Sequence, residues 1–208
     1  MRSTDLIGRE RELAAVCDAL ASHLSVVLVS GEPGIGKSRL SEELRARAHD
    51  AGFRTGRGGW EAEPCPALWG WERAVEQALG DVSALEADGS DATSVAFQRG
   101  QNVLRTLGQV PTLLVLEDLH WADGESLRLL GRVAAGIAGT PAVLVVTVRN
   151  AAGDRDALRE TLGGLARTDP VRLELRGLTR ADVAAWVSRQ RGRDTAASVV
   201  AELSERTG

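Results

Sequence analysis

Gly31-Glu32-Pro33-Gly34-Ile35-Gly36-Lys37-Ser38 is the stretch on which the fold of this 208-residue chain turns. It satisfies G-x-x-x-x-G-K-[ST], in which backbone N–H groups ring a run of phosphates, the lysine reaches the β and γ groups, and the hydroxyl ligates Mg²⁺. Lys37 is also the single lysine among 25 basic residues; all the others are arginine. Arginine serves wherever a surface or ion-pairing cation suffices, but a planar guanidinium does not fit the narrow cradle that a compact ammonium fills. The octapeptide therefore predicts binding of a nucleoside triphosphate.

The flanking residues are those the loop needs. Before it, Ser25-Val26-Val27-Leu28-Val29-Ser30 is a short β-branched run ending in glycine, and Arg9 to Ala21 carries apolar positions at helical spacing. After it, Ser38 to Ala51 sets Leu40, Leu44 and Ala48 on one face, as expected of a helix whose N-terminus points at phosphate. Further strands are predicted near Phe53 to Arg57, over Thr112 to Leu116, over Ala142 to Val148 and over Val171 to Leu175. Helical patterns occupy Ala67 to Leu79, Thr93 to Leu107, Ser126 to Ile137, Arg180 to Arg191 and Asp194 to Arg206. Gly58 to Pro66 is rich in glycine and proline, and Gly80 to Asp91 has the composition of a flexible acidic loop. Uninterrupted apolar strands alternating with helices predict an α/β fold, a mainly parallel five-stranded sheet covered on both faces. No internal repeat is present.

Leu113 to Leu116 runs into Glu117-Asp118, the form of a Walker B strand, whose first carboxylate holds Mg²⁺, usually through water, while the second orients the attacking water. Glu117 and Asp118 are accordingly candidate catalytic residues, with Ser38 and Glu117 as metal ligands. The order Glu then Asp gives the candidate base, Asp118, the shorter reach, so slow turnover is expected. Arg149 follows the third apolar strand in Val146-Thr147-Val148-Arg149-Asn150, where a fixed cation stabilises charge on phosphoryl oxygens and reports the γ-phosphate. A surface ion pair is the alternative for Arg149, and Thr147 is a lesser candidate, since a β-branched residue in a strand is expected anyway.

Composition narrows the function classes. A net charge of -4 supplies no global positive field for nucleic acid or an anionic membrane, and 43% hydrophobic residues support a real core. No apolar run approaches the roughly 18 to 20 residues of a membrane span, and Met1 to Asp5 lacks a signal-peptide core, so a cytoplasmic location without membrane contact is expected. Two cysteines make neither a disulfide framework nor a metal cluster: Cys17 falls in a helical pattern as core, and Cys65 in a loop between two prolines. Trp60, Trp69 and Trp71 crowd one region of a chain with 3% aromatics, as core or as a partner-facing surface.

Taken together, Leu6-Ile7-Gly8-Arg9-Glu10-Arg11-Glu12-Leu13, the phosphate loop, Leu116-Glu117-Asp118-Leu119-His120-Trp121-Ala122-Asp123 and Thr147-Val148-Arg149 resemble the signal-transducing P-loop ATPases of the STAND class. The likeness is to the AAA/NACHT-like ATPase module of large ATP-binding LuxR-type transcription regulators. It implies a three-layer P-loop NTPase of the ASCE type over residues 1–175 and the start of a helical lid over 176–208, with ATP or ADP and Mg²⁺ as cofactors. Nucleotide would contact Glu32, Pro33, Gly34, Ile35, Gly36, Lys37, Ser38 and Arg39, with Ile7, Gly8 and Arg9 beside the base. Helix capping explains the opening segment equally well. His120 and Asp123 would couple nucleotide state to the following helix, with an N-cap role open for Asp123. Gly177 stands where the family commonly has a proline against the adenine. The chain has the expected form of a fragment that ends inside the lid. Its implied partners are ATP and further copies of the full-length protein, with DNA contacted only through a C-terminal helix-turn-helix absent from these residues. A loader or replication initiator of the AAA+ type acting on DNA is the alternative.

Overall fold

The computed structural model describes residues 6–21, 26–88, 91–150 and 156–191, the last four by backbone alone. Five strands, β1 (Val26–Ser30), β2 (Arg54–Gly59), β3 (Thr112–Glu117), β4 (Ala142–Val148) and β5 (Val171–Glu174), form one sheet in the order β2-β3-β4-β1-β5. All four pairings are parallel, so the sheet is wholly rather than mainly so. Helices α1 (Glu10–Ala21), α2 (Lys37–Asp50), α3 (Trp69–Leu79), α4 (Ala92–Leu107), α5 (Gly124–Gly136), α6 (Asp156–Ala166) and α7 (Arg180–Arg191) connect or flank the strands.

Why β1, β3 and β4 are apolar nearly throughout is visible in the core. Val27, Val29, Leu113, Val115, Val143 and Val145 pack with Leu13, Val16, Leu40 and Leu44 of α1 and α2. The alternate residues Val26, Leu28, Leu114, Leu116, Leu144 and Val146 pack on the opposite face with α3, α4, α5 and α6. Side chains alternate across a strand, so a sheet covered twice needs apolar residues at every position. Each such Val or Leu contributes about 1.5–3 kcal/mol of burial. Strand order then aligns the chain ends that matter: Ser30 is level with Val148 and Leu116 with Val146. Gly31 and Arg149 therefore leave the sheet side by side, with Glu117 and Asp118 on the far side of β4.

Three expectations change. α6 carries Leu158 and Leu165 into the core, although Gly163 and Gly164 interrupt its pattern in the sequence. β2 runs on through Gly58 and Gly59, residues expected in a loop. α3 lies directly on this strand: a Cβ at Gly56 or Gly58 would overlap the carbonyl oxygen of Ala74 or Gly70. Glycine is required there for close approach, not for a turn. Within Gly80 to Asp91, a 3-10 turn at Ser83–Leu85 buries Ala84 and Leu85 and tethers the segment to the core. The helical pattern over Asp194 to Arg206 and the strand position Ser25 lie outside the described residues.

Candidate functional site

The phosphate loop joins β1 to α2. Gly34 and Gly36 have φ of 77° and 104°, a region that L side chains rarely adopt, and Gly36 caps α2 with no side-chain acceptor for the helix's first N–H groups. Such a helix start is suited to an anion. Lys37 is buried, 7% exposed, and its Nζ donates to the carbonyl oxygens of Gly31 at 2.7 Å and Glu32 at 2.9 Å. Burial pushes its pKa below the ordinary lysine value; Asp118 opposes this, Arg149 adds to it, and Glu32 and Glu117 oppose it. Lysine, the two carboxylates and Arg149 thus share one electrostatic environment. Ser38 and Arg39 are exposed on the first turn of α2.

At the end of β3, Glu117 is 4% exposed. Its Oε2 accepts from Arg57 Nε on β2 at 2.7 Å and also from Nη2, whereas its buried Oε1 has no hydrogen-bond partner among the described residues. A buried carboxylate oxygen without a donor fits a hydrated cation better than it fits the core. Among the described residues no cluster of three or more His, Cys, Asp or Glu side chains could hold a metal. The donor set, one carboxylate and the Ser38 hydroxyl, suits Mg²⁺ shared with phosphates and water. Arg57 was not anticipated; only its place beside β3 marks it.

Asp118 occupies the left-handed region at φ 55°, which aspartate adopts more readily than most L-residues. Its backbone N–H donates to Thr147 Oγ1 on the neighbouring strand β4 at 3.0 Å. Thr147, a lesser candidate by sequence, is thus joined to the candidate site through Asp118. His120 Nδ1 lies 3.9 Å from Asp118 Oδ1, and the Arg149 guanidinium stands 5.8 Å from the centre of the Trp121 ring. Asp123 caps α5 through Glu125 N and Ser126 N, and its Oδ2 accepts from Leu68 N at 3.2 Å. Burial would raise the Asp123 pKa, but the hydrogen bonds from Ser126 and Leu68 outweigh it and hold the carboxyl below its ordinary value.

On the other side of the loop, a cavity of about 570 Å³ is lined by Arg9, Glu32 to Ile35, Asn150 and Glu174 to Leu178, and it has room for a base. Gly177 lines it; Ile7 and Gly8 do not. Gly8 instead packs on α7 and the segment before it, where an added Cβ would meet Asp182 and Leu178. Arg9 is 5% exposed: Nη1 pairs with Glu12 at 3.1 Å, and Nη2 donates to Ile35 O at 3.0 Å and Arg176 O at 2.6 Å. Cys17 is only partly buried, and of the crowded tryptophans Trp60 and Trp71 are core while Trp69 is exposed.

Residues 5–146 match the AAA ATPase domain family. The chain belongs to that family. An uncharacterised protein of Rhizobium meliloti (strain 1021) is 32% identical, over 69% of this chain and 18% of the relative. Among solved structures, the ADP form of the Aeropyrum pernix ORC2 protein superposes with a TM-score of 0.61 at 16% identity, covering 91% of this AAA chain and 54% of that one. Replication initiator DnaA bound to AMPPCP and single-stranded DNA gives 0.60 at 14% identity, covering 96% and 57%. The chain thus spans about half the length of these structures and about a fifth of the Rhizobium protein. At such identities the two structures attest the α/β fold of this AAA domain. No helix among the described residues is long and apolar enough to cross a membrane.

Proposed function

We propose that this AAA domain is an ATP-dependent conformational switch with slow hydrolysis, the regulatory module of a bacterial LuxR-type transcription regulator. The observation that carries the reading is the Arg9 clasp. One buried guanidinium grips a carbonyl of the phosphate loop, at Ile35, and a carbonyl beyond β5, at Arg176, 167 positions away in sequence from Arg9. A change in loop conformation on nucleotide binding is felt directly at the segment leading into α7. That segment and α7 are the beginning of the lid in this reading, and its closure is the output.

Lys37 takes the β- and γ-phosphates in place of the Gly31 and Glu32 carbonyls, and the free N–H groups at the start of α2 take the remaining phosphate oxygens. The Ser38 hydroxyl and Glu117 would hold Mg²⁺, which would supply positive charge to offset that of the phosphates. Arg149, leaving the sheet beside Gly31, senses the γ-phosphate. Asp118 orients the attacking water with a carboxylate one methylene shorter than glutamate, on a backbone pinned by Thr147, and turnover is correspondingly slow.

Light-scattering mass and bound-nucleotide analysis with ATP, ADP and a non-hydrolysable analogue test this reading. A switch changes its assembly or shape with the γ-phosphate. The fold likeness to replication initiators supports a second reading, an initiator or loader ATPase acting on DNA, against which the net charge of -4 weighs. Identical mass in all three states together with rapid, DNA-stimulated hydrolysis selects it.

A further inference from the structure

We infer that Trp121 is a positioning residue for Arg149, holding the guanidinium at the mouth of the phosphate loop before a triphosphate arrives. The inference rests on the reading of Arg149 as the γ-phosphate sensor. Arg149 faces a difficulty in that role: it leaves the sheet beside Gly31, within electrostatic reach of Lys37, so without an anion the two cations repel. A long side chain on a strand end would relieve the repulsion by turning to solvent. Triphosphate would then have to draw it back and order it.

Trp121 removes that alternative. Its indole is 41% exposed in a chain with five tryptophans, so burial does not account for it. The exposure is enforced by the turn that carries it. Trp121 N donates to Asp118 O at 2.9 Å and Ala122 N to Leu119 O at 3.0 Å, and Leu119 and Ala122 on either side are fully buried. The His120 ring braces the indole, centroids 5.1 Å apart at 46°. The same turn is bonded to the end of β4 through Asp118 N and Thr147 Oγ1 at 3.0 Å, two residues before Arg149. The turn that bears Trp121 and the strand end that leads to Arg149 are therefore joined through Thr147. The face of an indole attracts a guanidinium through its quadrupole, and the Arg149 guanidinium stands 5.8 Å from the centre of the Trp121 ring. Trp121 thus opposes the repulsion from Lys37 and keeps Arg149 where a γ-phosphate can reach it, an ordering that ADP, lacking that group, does not exploit.

Calorimetric titration of the chain with Mg·ADP and with the Mg complex of a β,γ-methylene ATP analogue tests this in wild type, W121F, W121L, R149A and the W121L/R149A pair. W121L should weaken the triphosphate analogue two- to fivefold, roughly the range of an exposed cation–π contact, and leave ADP unchanged. W121F should keep most of the analogue affinity, and W121L should cost nothing further once Arg149 is alanine. Equal losses for both nucleotides in W121L, or a W121L effect that persists without Arg149, overturn the positioning role. Loss of discrimination between the nucleotides only in R149A, with W121L like wild type, overturns it and leaves the sensor reading standing. An R149A variant that still distinguishes the two nucleotides overturns the sensor reading itself.

Discussion

Lys37 ties its own loop together, because its ammonium bonds two backbone carbonyls at 2.7 and 2.9 Å. Those distances fit a compact head at the end of an unbranched stem. A K37R variant keeps the charge but cannot place a planar fork in the same space, and affinity for Mg·ATP should fall by about 10- to 100-fold, the equivalent of about one charge-assisted hydrogen bond. Calorimetry would detect it, and retention of wild-type affinity would refute the cradle argument. For Asp118 the split is between binding and chemistry. D118N should lower steady-state hydrolysis by about 10²- to 10⁴-fold while nucleotide affinity changes little, since a water-orienting carboxylate acts only once substrate is bound. Comparable losses in both would remove Asp118 from that role.

Asp123 shows how one side chain organises two helices. It caps α5 and, through Leu68 N, holds the entry to α3, where buried Leu68 sits at φ 65°. D123A should cost about 1–2 kcal/mol, read as a lower midpoint in thermal unfolding. The folded-state pKa of Asp123 is depressed, so its contribution is present above the unfolded value of about 3.9 and is lost as pH falls through the folded value. The gap between wild type and D123A should therefore narrow toward pH 3, and a gap independent of acidity would contradict the charge-assisted cap. At this same scale sequence and structure diverge most instructively. β1, β3 and β4 were legible because both their faces are buried, which leaves only apolar residues. α6 was not, because Gly163 and Gly164 weaken its period, and the end of β2 was not, because glycine there answers to the Ala74 and Gly70 carbonyls of α3, a tertiary neighbour that local pattern does not contain. The site divides likewise. Lys37 and Glu117 announce themselves by motif, whereas the pairing of Arg57 with Glu117 and of Thr147 with Asp118 depends on register between strands distant in the chain.

Across the whole domain, the Arg9 clasp joins the phosphate loop at Ile35 to Arg176, in the segment leading into α7. R9A should still bind Mg·ATP, within about tenfold of wild type, because the loop's own contacts with phosphate remain. What should disappear is communication: amide hydrogen exchange in Arg180–Arg191 should respond to nucleotide in wild type and cease to respond in R9A. An unchanged response in the variant would mean that the signal travels elsewhere. Strand order has a different consequence, for how the domain comes into being. β1 lies between β4 and β5, so both of its edges stay unpaired until residues 142 and 171 have been synthesised, long after Ser30. At roughly 5–20 residues per second a ribosome needs on the order of 10 seconds to supply the first partner. Throughout that interval an apolar strand with two open edges, the one that leads into the phosphate loop, is exposed to chaperones and to neighbouring nascent chains. Its survival in the cell is a matter of synthesis rate as much as of final stability.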